Sequence, residues 1–270
     1  MRPNKAKPFF DTKLPIVFAH RGASGSLPEN TIPAFDEAVK QGATYLETDV
    51  QLTKDGVLVL AHDPHLGRTA GIEREIRDLT FRELREVDAG ATFTPDGGKT
   101  FPFRGRGFVV ATLEEFLKRF PDQRANIEVK DGTPATARLV LDMIKRFKAA
   151  DRVLLASERS DALPFIRREA PHIPTSACRA EVMDFLWKSA FLPGSLREVP
   201  FEALQVPEKS SVIPVVNARF LSAAKHLGVQ VHVWTINGRA DMERIFRRGA
   251  DGIFTDFPAV GLAAAAAFRG

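Results

Sequence analysis

Residues 16–42, IVFAHRGASGSLPENTIPAFDEAVKQG, set the pattern that the rest of the chain repeats. The apolar run 16–20 reads as a short buried strand. Gly22, Gly25 and Pro28 turn the chain. Phe35, Ala38 and Val39 then share one helical face, and Gly42 is the stop signal. One strand, one loop and one helix make a β/α unit. The turn accounts for the glycines and the proline, but not for the imidazole of His20 and the guanidinium of Arg21 at the strand's end.

The unit recurs. Strands are expected at 16–20, 44–52, 124–130, 152–157, 173–178, 203–207, 229–235 and 252–255. Between them, Leu113, Phe116, Leu117 and Phe120 share a face behind a capping box at Thr112 and Glu115. Met242, Ile245 and Phe246 form another face, ended by Gly249. The stretch 173–203 has the least regular helical pattern. Eight strands alternating with helices indicate an α/β fold closed as a TIM (β/α)8 barrel. An open doubly wound sheet is the alternative, without a GxGxxG or Walker pattern to support it.

One region breaks the alternation. From about 51 to 110 the sequence reads as a hairpin, then a Gly/Thr/charge-rich stretch holding one short helix with a capping box at Thr80 and Glu83. A small insertion after the second barrel strand is expected, with 1–270 a single domain, because the apolar content there is too thin for a second core.

Composition narrows the function. The 38 basic and 34 acidic residues leave a net charge of only +4, and they are intermixed apart from pairs such as Arg104/Arg106 and Arg247/Arg248. No nucleic-acid partner is expected from such a distribution. A single cysteine, Cys178, excludes an intramolecular disulfide and leans toward a reducing compartment. The basic N-terminal segment is followed by no apolar signal core, and no run reaches the roughly 20 residues of a membrane span. The Ala-rich tail reads as a final helix. A cytoplasmic protein without stable membrane insertion is expected.

The chemistry begins in residues 45–63, YLETDVQLTKDGVLVLAHD. Alternate strand side chains share a face, so Glu47 and Asp49 point the same way as Tyr45. Two carboxylates on one barrel face need a cation between them, and a divalent metal is the economical one; pairing with Arg or Lys is the plainer option. The Lys54-Asp55-Gly56 turn then folds the chain back. A turn on Lys54-Asp55 sets His62 across from Glu47, and one on Asp55-Gly56 sets it across from Asp49. In NIEVK, Glu128 and Lys130 share a face. Glu128 either completes an all-oxygen set suited to Mg²⁺ or Ca²⁺, or pairs with Lys130. Strand C-terminal ends converge in this fold, so His20 and Arg21 join the same mouth. Arginine and lysine beside a cation call for a polyanion, phosphate above all. Two histidines supply an acid and a base. Phosphodiester hydrolysis is the reading these residues favour.

The sequence resembles the glycerophosphodiester phosphodiesterase family. The resemblance rests on HRGASGSLPENT (20–31), LETDVQLTKDGVLVLAHD (46–63), RT (68–69), IEVK (127–130), VHVWTIN (231–237) and GADGIFTDFP (249–258), in family order over nearly the whole chain. It implies a TIM barrel with an insertion after the second strand, and release of glycerol 3-phosphate and an alcohol. It implies His20 and His62 as the acid/base pair, Glu47, Asp49 and Glu128 as ligands of one divalent cation, and Arg21 and Lys130 as phosphate contacts. Trp234 falls where an aromatic residue lines the pocket beside the glycerol or alcohol moiety, with barrel-top core as the alternative. Glu29 and Asn30 are expected to support the site. His65 is expected to be an exposed insertion residue. The middle of the chain, 157–201, matches loosely, and choice of the alcohol is expected there and in the insertion.

Two alternatives keep the same site. A lysophospholipase D would need an apolar groove, for which Phe93, Phe101, Phe103 and Phe108 are candidates, although an ordinary core explains them more simply. A non-catalytic phosphate-ester-binding barrel has little use for the His20/His62 pair.

Overall fold

The computed structural model describes residues 7–211 and 213–269, so residues 1–6 of the basic N-terminal segment lie outside the described residues. Its strands are β1 (Ile16–His20), β2 (Tyr45–Leu52), β3 (Leu58–Leu60), β4 (Arg124–Val129), β5 (Val153–Ala156), β6 (Ala203–Pro207), β7 (Lys209–Ser210), β8 (Ile213–Pro214), β9 (Gln230–Trp234) and β10 (Gly252–Thr255). Seven of these form a parallel array in the order β5-β4-β2-β1-β10-β9-β6, with β3 antiparallel to β2. Away from their C-terminal ends the strands are largely apolar on both faces, because helices cover the outside while the barrel fills itself inside.

The eighth position is occupied differently from expectation. Residues 173–178 are not a strand; they contribute single bridges, Leu155 to Thr175 and Ser176 to Ala203. Pro174 has no N–H to give, so the ladder reduces to Leu155 N to Pro174 O at 3.0 Å, Ser176 N to Leu155 O at 3.0 Å, Glu202 N to Thr175 O at 3.0 Å and Ala177 N to Ala203 O at 2.8 Å. Those bonds still join β5 to β6 and close the TIM barrel.

The helices are α1 (Ile32–Lys40), α2 (Gly67–Ala70), α3 (Phe81–Leu84), α4 (Leu113–Arg119), α5 (Pro134–Arg146), α6 (Ala162–Glu169), α7 (Arg179–Phe191), α8 (Ala218–Leu227), α9 (Arg239–Arg248) and α10 (Pro258–Arg269). Both expected capping boxes are made, at Thr80/Glu83 and Thr112/Glu115. Gly249 ends α9 at φ 100°, a left-handed conformation that favours glycine. Helix α7 fills the stretch that has no clear helical periodicity. The reason is that it carries apolar side chains on both faces: Phe185 is buried while Met183 and Trp187 are exposed.

Between β3 and α4 the chain makes three short helical turns rather than one: α2, a 3-10 turn at Ile76–Asp78, and α3. They enclose an apolar cluster that includes Leu66, Ile76, Leu79, Leu84 and Val110. Its members are irregularly spaced, so no periodicity betrays it. Among the described residues no helix is long and apolar enough to cross a membrane.

Inward-facing side chains alternate along each strand. Phe18 stacks on Phe254 at 4.5 Å and meets Tyr45 edge-on at 5.3 Å, while the Tyr45 hydroxyl donates to Phe9 O at 2.7 Å. This aromatic layer fills the barrel interior. The inward residues nearer the strand C-termini are polar.

Candidate active site

A cavity of about 620 Å³ opens at that C-terminal end, lined by His20, Arg21, Glu47, Asp49, His62, Glu128 and Trp234 among others. Parallel register sets Glu47 beside His20 and Asp49 beside Glu128. Glu47, Asp49 and Glu128 each offer an oxygen within 4.8 Å of the others. Burial, and then the charge of Asp49, push the Glu47 carboxyl up to about 8. Burial also raises Glu128, against the opposing charge of Lys130. Asp49 is desolvated too, yet Arg21 and Lys130 hold it below its ordinary value. Three hard-oxygen donors under mutual repulsion, Glu47 and Asp49 buried and Glu128 partly so, are the donor set that a divalent metal ion fits.

The cations serve this cluster. Lys130 Nζ lies 3.0 Å from Glu128 Oε1 and 3.6 Å from Asp49 Oδ1, so the plainer Glu128–Lys130 pairing is also present. Arg21 sits in the left-handed region at φ 56°, held by its N–H donating to Glu47 Oε2 at 3.0 Å. Its Nη1 donates to Glu29 Oε1 at 3.0 Å. Its buried Nε is 3.3 Å from Asp49 Oδ2 but has no hydrogen-bond partner among the described residues.

Both histidines are anchored through Nδ1, leaving Nε2 as the ring nitrogen for other work. His20 Nδ1 is 2.7 Å from Asp256 Oδ1, and His62 Nδ1 is 2.7 Å from Asp63 Oδ1. For His20, burial disfavours the charged ring, but the Asp256 bond and the Glu47 charge outweigh it and raise the pKa. For His62, burial dominates and lowers it.

His62 reaches this place by a third register. β2 pairs Val50 with Leu60 and Gln51 with Val59, so neither expected alignment holds. Thr53 N donates to Val57 O and Gly56 adopts φ 80°, making a three-residue loop in place of a two-residue turn. The ladder ends with Ala61 N on Asp49 O at 3.0 Å, and Gln51 Nε2 holds His62 O at 3.1 Å. His62 therefore enters the cavity from beyond the strand.

Asn30 bridges the second strand to the loop: its Nδ2 donates to Asp49 at 3.1 Å and its Oδ1 accepts from Thr48 at 2.7 Å. Glu29 accepts from both Arg21 and Arg68. Trp234 stands on the rim with 40% of its surface exposed, not in the core. His65 pairs with Glu73 at 3.3 Å, outside the cavity lining. Phe93, Phe103 and Phe108 pack on one another at 5.0–5.2 Å, Phe101 lies under Arg104, and none lines the cavity. The apolar wall comes instead from Val182, Met183 and Leu186 of α7.

Sequence reasoning quoted Asp256, Asp63 and Arg68 within its motifs but assigned them no role. Asp63 directly follows His62, and its adjacency was the signal. Asp256 is 236 residues from His20 and meets it only because β1 pairs with β10.

The glycerophosphoryl diester phosphodiesterase family profile matches residues 20–260. A glycerophosphodiester phosphodiesterase of Caldanaerobacter subterraneus is 34% identical over 90% of this chain and 94% of the relative. A lysophospholipase D of Mus musculus is 28% identical over 89% of this chain and 78% of its own length. The fold superposes with a TM-score of 0.75 on an Oleispira antarctica phosphodiesterase solved with the product sn-glycerol-3-phosphate, at 25% identity over 93% of this chain and 96% of that one. Since the profile spans the barrel from its first strand into its last helix, the chain belongs to the glycerophosphoryl diester phosphodiesterase family.

Proposed function

We propose that the protein hydrolyses glycerophosphodiesters to glycerol 3-phosphate and an alcohol. The observation that carries this is one cavity holding two carboxylate-anchored histidines, three clustered carboxylates, and Arg21 beside them. Glu47, Asp49 and Glu128 would hold one Mg²⁺ or Ca²⁺, which when bound neutralises charge on the phosphate oxygens. Arg21 and Lys130 bind the nonbridging oxygens, and the unpartnered Nε of Arg21 is a donor for one of them. One histidine takes the proton from the nucleophile, water or a substrate hydroxyl, as its oxygen bonds to phosphorus. The other gives a proton to the alcohol oxygen as its bond to phosphorus breaks. Asp256 and Asp63 orient the two rings, Trp234 flanks the glycerol or alcohol moiety, and Glu29 and Asn30 hold Arg21 and Asp49 in place. The segment 51–110 is an insertion of the single domain that delivers His62. A cytoplasmic setting accords with the single, buried Cys178.

The test is glycerol 3-phosphate release from glycerophosphocholine, with and without EDTA, then with Mg²⁺ or Ca²⁺ restored. Release that depends on the ion, and that His20→Ala or His62→Ala abolishes, supports the scheme. Either variant at full activity sinks it.

A second reading, lysophospholipase D action on single-chain lipids, draws on the apolar α7 wall. Turnover of lysophosphatidylcholine above that of glycerophosphocholine, lost selectively in Leu186→Ser, would favour it. Equal losses on both substrates would count against it.

A further inference from the structure

We propose that the cavity rim built by α7 and the β7–β8 hairpin is a docking ridge for an anionic lipid surface, which seats the cavity mouth against a membrane. Met183, Trp187 and Phe191 recur at four-residue intervals and so form one stripe along α7. The stripe starts in the cavity wall, which Met183 lines, and continues outside it to Trp187, 53% exposed, and Phe191, 69% exposed. The Trp187 and Phe191 rings lie 5.9 Å apart. Arg219, at the start of α8 and hence just past the cavity end of β6, donates to Ala190 O at 3.1 Å. That bond keeps the far end of the stripe on the mouth side of the barrel.

The β7–β8 hairpin follows β6, the neighbour of the 173–178 segment that leads into α7; it lines the cavity with Ser210, and its Ile213 is 54% exposed. Both tryptophans of the chain are exposed, Trp234 in the cavity lining and Trp187 on the stripe outside it. A surface helix ordinarily turns polar side chains outward. Exposed Trp and Phe around the entrance to a cavity are the composition of a lipid–water interface.

Charge selects the occupant. Of the acidic groups nearby, Glu181 is neutralised by Arg167, Asp184 by Lys188, and Glu208 by Arg244 and Arg248, while Glu158 and Glu198 form no ion pair among the described residues. Arg179, Arg197 and Arg219 have no carboxylate partner among the described residues either, which leaves three guanidinium groups against two carboxylates. An apolar ridge carrying unneutralised arginines complements an anionic bilayer.

The ridge goes beyond the reaction proposed above, and its test needs neither substrate nor metal. The full chain is sedimented with vesicles of phosphatidylcholine alone and of equimolar phosphatidylcholine and phosphatidylglycerol. Expected are binding to the anionic vesicles, a blue shift of tryptophan emission, and about tenfold weaker binding for the Trp187→Glu/Phe191→Glu variant. Circular dichroism checks that this variant folds; should it not, the emission shift of the unmutated chain decides. Absence of vesicle binding, or an unshifted emission, overturns the proposal. So does a dimer in light scattering that the double variant dissociates, because a second copy then covers the ridge.

Discussion

Asp256 Oδ1 lies 2.7 Å from His20 Nδ1, and the same carboxylate is fixed by Ser24 Oγ at 2.9 Å and Asn237 Nδ2 at 2.7 Å. A carboxylate held on three sides fixes the ring plane and places the Nδ1 proton. It also favours protonated His20, so replacing it moves the His20 titration to lower pH. Asp256→Asn is therefore expected to lower kcat by about 10²-fold and shift the matching limb of the pH–rate profile acidward. A variant that slows without moving either limb would reduce Asp256 to a structural role.

Arg68 ties the two halves of the site together. Its Nε donates to Asp63 at 2.6 Å, while Nη1 and Nη2 grip Glu29 at 2.6 and 2.7 Å. Asp63 orients His62 and Glu29 orients Arg21, so one exposed guanidinium positions both. Arg68→Ala is expected to reduce kcat about tenfold, with partial rescue by lysine, which cannot reproduce the fork. The losses from Arg68→Ala and Asp63→Asn should combine to less than their sum. Strict additivity in that double-mutant cycle would show the two act separately.

Much of this was legible in the chain, for definite reasons. Two-residue alternation put Glu47 and Asp49 on one face, and repetition of the β/α unit put the strand ends at one mouth. Residues 173–178 misled because an apolar run looks the same whether or not a proline interrupts its ladder. The hairpin misled because an Asp-Gly pair suits both a two-residue turn and the three-residue loop found here, and the left-handed Gly56 decides only in three dimensions. The partner of His20 was invisible because it depends on barrel closure rather than on local spacing. Helix α7 was faint because exposed Met183, Trp187 and Phe191 interrupt its polar surface, so no single apolar stripe marks the face turned to the core.

The carboxylate cluster makes a prediction about stability. In the ion-free protein Glu47 resists ionisation because it is buried beside Asp49. Glu47→Gln is therefore expected to leave the ion-free protein as stable as before, or more so. The unmutated chain should gain about 2.7 kcal/mol when Mg²⁺ or Ca²⁺ is present at 100 times its dissociation constant. That gain should vanish in Glu47→Gln and Glu128→Gln, as read by thermal unfolding with and without EDTA. An undiminished gain in both variants would move the ion elsewhere.

His232 offers a test far from the chemistry. It is fully buried between Phe18 and Phe254, its Nε2 is 2.9 Å from Gln230 Oε1, and its Nδ1 has no partner among the described residues. Burial pulls its pKa down from 6.5 to about 3. Between those values the unfolded chain binds a proton that the folded chain refuses, so stability rises with pH across that window and falls on acidification. The slope contributed is about 1.4 kcal/mol per pH unit. His232→Phe keeps the aromatic packing and removes the titration. Its urea midpoint is expected to fall less than that of the unmutated chain between neutral pH and about pH 5. Parallel declines in the two proteins would mean that acid sensitivity resides in the carboxylates and their partners, and that His232 titrates alike in both states.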